Sequence, residues 1–123
     1  MQLSLKGLYI NNDVFYFQLS PQNKSFISYD IDAIRFIIRD MRKSKRTATQ
    51  EREIKPLYLY GNIKNVKGKL TQTCVIALPK FTLLDAKYLS IQVLEKNGGR
   101  DLHLNLQDWH IIQAKPIDPK AIE

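Results

Sequence analysis

The sequence is poor in the residues that build disulfides, metal sites and redox centres. Cys74, the single cysteine, stands in the apolar run TCVIAL, so the chain can form neither an internal disulfide nor a CxxC motif. No apolar run approaches the roughly 18 residues of a membrane span, and the opening MQLSLKGLYI lacks the charged and apolar regions of an export signal. We therefore expect a soluble chain. Because it begins directly in a strand-like pattern, we also expect a domain cut from a longer precursor.

Motifs for catalysis are also missing from the sequence. His103 and His110 lie seven residues apart, outside any familiar metal-ligand spacing, and are interpreted as surface histidines. Cys74 has no nearby basic residue that would lower the pKa of its thiol, which predicts a buried thiol. The glycine pair in EKNGGR lacks the spacing of a phosphate-binding loop and predicts a hairpin turn. We therefore expect no enzymatic activity, no cofactor and no metal site.

The chain does contain enough apolar residues for one folded domain. It has 123 residues, of which 44% are hydrophobic, so it can bury a core without metal or disulfide. Residues 1–115 are predicted to form a single domain, and residues 116–123 a C-terminal tail. Nineteen Lys and Arg against twelve Asp and Glu give a formal charge of +7. This charge attracts polyanions, but it does not by itself make the chain a nucleic-acid-binding protein.

Apolar residues alternate with polar ones along most of the chain, which is typical of half-buried strands. The segments on either side of NND predict a hairpin over residues 3–19. In the second segment, one face holds Phe15, Phe17 and Leu19, and the other holds Val14, Tyr16 and Gln18. SPQNKS, residues 20–25, contains a proline and is predicted to be a polar turn. Further strands are predicted at 57–60 and 73–78. In the second of these, Cys74, Ile76 and Leu78 share one face.

The run ISYDIDAIRFIIRDMRK fits either a strand or a helix. Its alternation suits a strand, whereas Ile31, Ile34, Ile38 and Met41 also fit one helical face, with Asp30 or Asp32 as an N-cap. The density of isoleucine favours the strand, because branching at Cβ suits the pleat. The helix is kept as an alternative for residues 31–42.

KYLSIQVLEKNGGRDLHLNL carries the clearest architectural signal. It places Leu89, Ile91 and Val93 against Leu102, Leu104 and Leu106, joined by an NGG turn that supplies positive φ angles. The preceding LLDAKY resembles a tyrosine corner, in which Tyr88 bonds back to the backbone, although Tyr88 also fits a plain strand start. About seven short strands predict an antiparallel immunoglobulin- or fibronectin-like β-sandwich, with a partly open β-barrel as the alternative.

The most polar segment is KSKRTATQEREIKP, residues 43–56. Together with Arg35, Arg39 and Arg42 its basic half suits a polyanion, and exposed Tyr58 and Tyr60 beside it could stack bases. The run lacks interleaved aromatics, however, and passes into Glu51 and Glu53, which repel phosphate. A solvated connection between two strands explains the segment as well or better.

WHIIQAKPIDPK, near the C-terminus, contains the single tryptophan, Trp109, beside Ile111 and Ile112. The favoured interpretation is a final strand or turn that packs Trp109 onto one mouth of the sandwich. The alternative is an apolar edge that is offered to a partner. Pro116 and Pro119 then mark the expected end of ordered structure.

Several of these segments together resemble one family. IDAIRFIIRD, KRTATQE and ALPKFTLLDAKYLSIQVLEKNGGR are similar to the C-terminal part of the TraN proteins of conjugative transposons from Bacteroidetes, a family also labelled as a domain of unknown function. The resemblance runs over residues 5–115 in the expected order. Its motif maps onto Lys45, Arg46, Thr47, Ala48, Gln50 and Glu51.

The resemblance implies an exported envelope protein that is encoded with other transfer genes. It also implies that this protein takes the role of the type IV secretion core-complex subunit whose C-terminal domain is a β-sandwich. It carries over no catalytic residue. We expect a non-enzymatic assembly module, periplasmic or associated with the outer membrane, that binds other channel proteins and can oligomerise with them. The alternative is a single-stranded DNA contact protein of the transfer pathway. The residues predicted to contact a partner are Lys43, Lys45, Arg46, Gln50, Glu51, Tyr58, Tyr60 and Trp109.

Overall fold

The computed structural model describes residues 1–41, 51–84 and 86–116. In these ranges the chain forms the strands β1 (Gln2–Asn11), β2 (Val14–Gln22), β3 (Tyr29–Asp40), β4 (Arg52–Ile54), β5 (Tyr58–Gly61), β6 (Asn65–Val66), β7 (Cys74–Pro79), β8 (Lys87–Glu95), β9 (Leu102–Leu106) and β10 (Lys115–Pro116). One short helix, α1 (Asp108–Ile111), lies between β9 and β10.

The strands form two sheets. Sheet 1 has the order β10, β1, β2, β7, β5, in which β10 runs parallel to β1 and the other neighbours are antiparallel. Sheet 2 has the antiparallel order β4, β3, β8, β9, and β6 pairs with the first residues of β3. The described strands do not close into a barrel. The predicted β-sandwich is therefore confirmed.

Alternate residues of both sheets point inward and form the hydrophobic core. The rings of Phe17 on β2 and Phe36 on β3 meet across the two sheets, with centroids 5.7 Å apart. The strand pattern predicted the core face of three central strands correctly. The inward residues are Phe15, Phe17 and Leu19 on β2, Cys74, Ile76 and Leu78 on β7, and Leu89, Ile91 and Val93 on β8.

Both predicted hairpins are present. β1 and β2 are joined at Asn12 and Asp13, whose φ angles of 49° and 63° are the left-handed values that a tight hairpin turn requires. β8 and β9 pair in the predicted register, with Leu89 opposite Leu106. The N-terminal and C-terminal thirds thus each supply one hairpin, the first to sheet 1 and the second to sheet 2.

Residues 29–40 form a strand, which resolves the choice between strand and helix as far as Asp40. β3 pairs with β8 on one side and with β4 and β6 on the other. Phe36, Ile37 and Ile38 are all buried, so this stretch is covered on both of its faces. A strand that is buried on both faces loses the apolar–polar alternation, which explains why the sequence also fitted a helix.

The polar turn predicted over residues 20–25 is wrong for its first three residues. β2 continues to Gln22, and Pro21 pairs with Leu3 of β1. The Pro21 carbonyl accepts a hydrogen bond of 3.0 Å from the Gln72 amide, on the side away from β1. Since the nitrogen and the carbonyl of a strand residue point to the same side, the missing Pro21 N–H costs no hydrogen bond to β1.

The turn between β8 and β9 differs from the prediction in its use of glycine. Asn97 adopts a φ of 55°, whereas neither Gly98 nor Gly99 has a left-handed φ. Gly98 is required for space, because a Cβ there would collide with the Glu95 carboxylate. That carboxylate is fixed by an ion pair with Arg100.

Tyr88 does not form the predicted tyrosine corner. It lies in β8 opposite Arg39, and its hydroxyl has no hydrogen bond to backbone within the described residues. Tyr29 makes such a contact instead. Its buried hydroxyl lies 3.3 Å from the Val93 carbonyl and also contacts the Arg100 carbonyl, which ties the start of β3 to the β8–β9 hairpin.

The C-terminal segment returns to the first strand. α1 is four residues long, and no helix in the described ranges has the length and apolarity to cross a bilayer. β10 then pairs with β1, placing Lys115 opposite Tyr9. Pro116, which the sequence assigned to the tail, is the last residue of β10, and residues 117–123 lie outside the described residues.

Candidate functional site

Four of the eight residues predicted to contact a partner lie in the described part of the chain. Glu51 precedes β4, Tyr58 and Tyr60 lie on β5, and Trp109 lies in α1. The others fall outside the described residues: Lys43, Lys45, Arg46 and Gln50.

The acidic half of KSKRTATQEREIKP pairs with arginines of β3. Glu53 accepts hydrogen bonds from Arg35 Nε at 3.1 Å and Nη2 at 2.6 Å, and this contact lowers the pKa of the Glu53 carboxyl. A Glu51 oxygen lies 3.3 Å from Arg39 Nη1. Antiparallel pairing of β4 with β3 brings these groups together. Arg35 and Arg39, which the sequence suggested as contacts for a polyanion, are therefore already paired with carboxylates.

β5 is an edge strand of sheet 1. In the described residues its one neighbour is β7. Four consecutive side chains here are exposed, with Tyr58 62% exposed, and we call them the β5 edge: Leu57, Tyr58, Leu59 and Tyr60. Exposed edges present unpaired N–H and C=O groups and are usually protected by charges, proline or bulges. The β5 edge carries apolar and aromatic side chains instead, so it is open to pairing with another chain.

Tyrosines line the outer face of sheet 1 beside this edge. Tyr9 on β1 lies opposite Tyr16 on β2, Tyr16 lies opposite Ala77 on β7, and Ala77 lies opposite Tyr58 on β5. These three tyrosines and Ala77 therefore form one row across the sheet. Ala77 is fully buried although it points away from the core, and we infer that Tyr16 and Tyr58 cover it. The Tyr60 ring lies 6.1 Å from that of Tyr58. We call Tyr9, Tyr16, Tyr58 and Tyr60 the tyrosine face, in which Tyr16 is buried and Tyr58 and Tyr60 are exposed.

The sequence identified Tyr58 and Tyr60 but missed Tyr9 and Tyr16. A signal for both was present, since alternation placed Tyr16 on the outer side of β2 and the β1–β2 hairpin register places Tyr9 beside it. The exposure of Leu57 and Leu59 had no such signal. Alternation assigns side chains to faces, but it does not reveal which strand ends a sheet.

Trp109 lies at one end of the sandwich, as predicted, but it is not buried there. It is 53% exposed, its ring stacks on His110 with centroids 3.5 Å apart, and Nε1 donates to Gln107 Oε1 at 3.2 Å. The buried residue of this segment is Ile111. The predicted strand or turn is a single helical turn, which directs one side to the core and leaves the Trp109 side in solvent.

The remaining polar candidates have structural explanations. His103 is exposed on β9, whereas half-buried His110 accepts a hydrogen bond of 3.0 Å from the Gln107 amide and caps α1. Cys74 is buried as predicted, and this burial raises the pKa of its thiol to about 11. Within residues 1–41, 51–84 and 86–116, His, Cys, Asp and Glu side chains form no group that could hold a metal ion.

The described candidates do not form one site. Glu51 and Trp109 lie at the end of the sandwich where β3 terminates, but they line different cavities, the first with Ile38 and Thr82 and the second with Met41. Tyr58 and Tyr60 lie on the outer face of sheet 1 instead. The β5 edge combines exposed apolar side chains with a strand that has a described neighbour, β7, on one side.

Within the described residues, fold and surface define a two-sheet β-sandwich domain that has an open, apolar sheet edge at β5. The chain belongs to the family described as a domain of unknown function, DUF4138, whose family model matches residues 1–116. No curated protein and no solved structure matches the chain.

Proposed function

We propose that the chain is a non-enzymatic assembly module of a conjugative transfer apparatus, of the TraN kind that its segments resemble. It acts in the periplasm or at the outer membrane by binding other proteins of the transfer channel. The observation that carries the proposal is the β5 edge, where four consecutive large side chains are exposed and, within the described residues, β5 pairs on one side with β7. The resemblance of IDAIRFIIRD, KRTATQE and EKNGGR supports the cellular setting.

Strand addition is the binding mode that this edge favours. An extended segment of the partner pairs with β5 and continues sheet 1, with main-chain hydrogen bonds fixing its register. Burial of the exposed parts of Leu57 and Leu59 supplies affinity, since a large apolar side chain contributes about 1.5–3 kcal/mol when it passes fully from water into an interface. Tyr58, the most exposed residue of the edge, adds the aromatic surface that interfaces favour.

Gly61 limits the length of the added strand. Its φ of 90° turns the chain out of sheet 1, after which β6 joins β3 in sheet 2. The edge therefore offers about 17 Å of strand, at about 3.4 Å per residue over residues 57–61. So short a ladder needs side-chain contacts for specificity, and we expect a partner segment with apolar side chains at alternate positions.

Capture from cells that express the transfer operon tests the proposal. The whole chain serves as bait, and a Tyr58→Lys, Leu59→Lys variant places two charges on the β5 edge. We expect the variant to recover at least about tenfold less of the transfer protein, because charged edges resist strand pairing. The matched control is Leu84→Lys, Ile112→Lys, which adds the same charge at two exposed apolar residues outside the edge.

Two results of this experiment contradict the proposal. One is that the bait recovers no transfer protein at all. The other is that the control variant loses the partner while the edge variant keeps it, which assigns binding to the surface around Leu84 and Ile112. Circular dichroism and urea denaturation of each variant establish that the domain is folded in every arm.

A single-stranded DNA contact protein of the transfer pathway is the second candidate. The neighbouring exposed rings of Tyr58 and Tyr60 favour it, since bases stack on such rings. The ion pairs of Arg35 and Arg39 weigh against it. It predicts binding that weakens steeply with salt and that falls when four basic residues are neutralised: Arg42, Lys43, Lys45 and Arg46. The absence of binding at low salt eliminates this candidate.

A further inference from the structure

The loop between β2 and β3 holds two large apolar side chains out in solvent. Phe26 is 86% exposed and Ile27 is 71% exposed. The loop between β6 and β7 runs beside it, and the backbone N–H of Asn23 donates a hydrogen bond of 2.9 Å to the Leu70 carbonyl. The Leu70 side chain is half exposed. We call Phe26, Ile27 and Leu70 the tip patch. It shares no residue with the β5 edge or the tyrosine face.

This exposure belongs to a loop with a fixed conformation. Asn23 is fully buried, and its Nδ2 donates to the carbonyls of Ile27 at 2.8 Å and Val66 at 3.0 Å. Its Oδ1 accepts from the Ser25 amide at 3.1 Å, and Ser25 Oγ accepts from the Ile27 amide at 3.1 Å. The loop therefore buries a polar side chain and exposes two apolar ones, which is the reverse of the usual arrangement.

The neighbouring loop supports the same conformation. The Lys69 amide donates to the Ser25 carbonyl at 2.9 Å. Gly68 lies so close to the Phe26 backbone that a Cβ at this position would collide with it. The Phe26 backbone is therefore held by contacts within its own loop and by contacts with the β6–β7 loop. The Phe26 side chain extends outward from this fixed backbone.

The charged side chains of the two loops that carry the tip patch are positive, and the acidic residues Asp30 and Asp101 lie beyond these loops, near Arg100 and Tyr29. Lys24, Lys67 and Lys69 are exposed and form no ion pair with the described acidic residues. Lys69 Nζ lies 4.5 Å from the centre of the Phe26 ring. On the adjoining β8–β9 turn, the Glu95 carboxylate forms an ion pair with Arg100, which neutralises its charge. The patch is an apolar centre with a basic rim.

We propose that the tip patch docks on an anionic lipid bilayer, with Phe26 and Ile27 entering the headgroup region and the rim lysines contacting lipid phosphates. The charge of the rim is complementary to an anionic surface. The two side chains project from the domain and touch little of it, and a bilayer accepts such a projection without a matching cavity. A protein partner would need a pocket shaped around both.

Sedimentation with vesicles tests this proposal with the whole chain and no partner protein, so it can fail independently of the assembly function. Vesicles of phosphatidylglycerol with phosphatidylethanolamine are compared with vesicles of phosphatidylcholine alone. We expect the chain to bind the anionic vesicles and to bind the zwitterionic ones at least about tenfold more weakly. Failure to bind the anionic vesicles overturns the proposal.

Apolar and charged contributions are separated by matched variants. Phe26→Ser, Ile27→Ser is expected to weaken vesicle binding at least about tenfold, whereas Ile112→Ser, at a residue 72% exposed outside the patch, leaves it unchanged. Replacing the three rim lysines by glutamine is expected to weaken binding about fivefold per lysine. The charge-matched control is Lys6→Gln, Lys55→Gln, Lys115→Gln, all at exposed positions outside the rim.

Equal losses in the two triple-lysine variants, or full binding by Phe26→Ser, Ile27→Ser, overturn the proposal, because the net charge of the chain then explains binding. Insertion is read directly in a Phe26→Trp, Trp109→Phe variant, whose one tryptophan lies in the tip patch. Its fluorescence emission is expected to shift to shorter wavelength on anionic vesicles. An unchanged emission maximum in the presence of bound vesicles contradicts entry into the headgroup region.

Discussion

Asn23 shows how one side chain fixes the shape of a loop. Its amide nitrogen bonds the carbonyl of Ile27, in its own loop, and that of Val66 on β6. These contacts join the β2–β3 loop to the strand that crosses from one sheet to the other. No smaller side chain can reach both carbonyls, so the exposure of Phe26 and Ile27 depends on this residue.

Replacing Asn23 by alanine is therefore expected to lower the free energy of unfolding by about 2–3 kcal/mol, because it leaves polar groups in the interior without partners. Urea denaturation measures the change. Asn62→Ala is the matched control, since the Asn62 side chain also makes two backbone hydrogen bonds but lies exposed to water: its Oδ1 accepts from the Lys64 amide at 2.9 Å and the Asn65 amide at 3.3 Å. We expect it to cost less than about 1 kcal/mol. Equal losses would contradict this role of Asn23.

Tyr29 makes stability depend on pH in the alkaline range. Burial, together with the charges of Glu95 and Asp101, raises the pKa of its hydroxyl to about 12. Because this folded-state pKa lies above that of the unfolded chain, the contribution is complete below about pH 10 and is lost as the pH rises towards 12. We expect the free energy of unfolding to fall over this range, and to fall less in Tyr29→Phe.

Urea denaturation of both proteins at about pH 8 and about pH 11 measures the difference. The Cys74 thiol, whose pKa is also raised, titrates in both proteins and so does not distinguish them. The same decline in the wild-type chain and in Tyr29→Phe would show that Tyr29 is not the responsible group.

At the scale of the elements, the strands differ in how far their sequences predict them. β2, β7 and β8 each place one face in the core, so alternation predicted their inward residues individually. β3 carries an isoleucine, Ile37, on its outer face between the core residues Phe36 and Ile38, and it gave an ambiguous signal. β4, β6 and β10 are only two or three residues long, too short for any periodicity. α1 is a single helical turn, where the sequence predicted a final strand or turn.

The candidate surfaces were predictable to different degrees. Tyr58 and Tyr60 stand in a clean alternating run, and their exposure follows from that pattern. The edge position of β5 results from pairing with β7 across a long stretch of chain, which no local pattern encodes. The predicted polar turn, SPQNKS, ends before Phe26. The exposure of Phe26 follows from the bonds of Asn23, one of which joins segments far apart in sequence.

Gly61 is the point at which the chain leaves sheet 1 for sheet 2. Its φ is 90°, and a Cβ there would lie 2.8 Å from the Thr73 carbonyl oxygen. We expect Gly61→Ala to lower the free energy of unfolding by about 1–3 kcal/mol. Gly99→Ala is the control, because a Cβ at Gly99 meets nothing within 4 Å and its φ is not left-handed. Urea denaturation measures the free energy of unfolding of both variants. Equal decreases in Gly61→Ala and Gly99→Ala would contradict the proposed role of Gly61.

At the scale of the whole molecule, the two proposed surfaces lie on different parts of the sandwich. The β5 edge runs along the side of sheet 1, and the tip patch lies where β2 passes into β3. A domain docked on a membrane through the tip patch therefore keeps its edge strand free for a partner. The formal charge of +7 favours approach to an anionic surface but selects neither surface by itself.

The claim that β5 binds a partner of the transfer channel is tested most directly by site-specific photo-crosslinking in cells that express the transfer operon. A photoreactive amino acid replaces Tyr58 or Leu59 on the edge, or Ile112, a still more exposed apolar residue, as the control outside it. We predict an adduct with a transfer protein from the two edge positions and none from Ile112. Adducts from Ile112 with none from Tyr58 or Leu59 would contradict the claim.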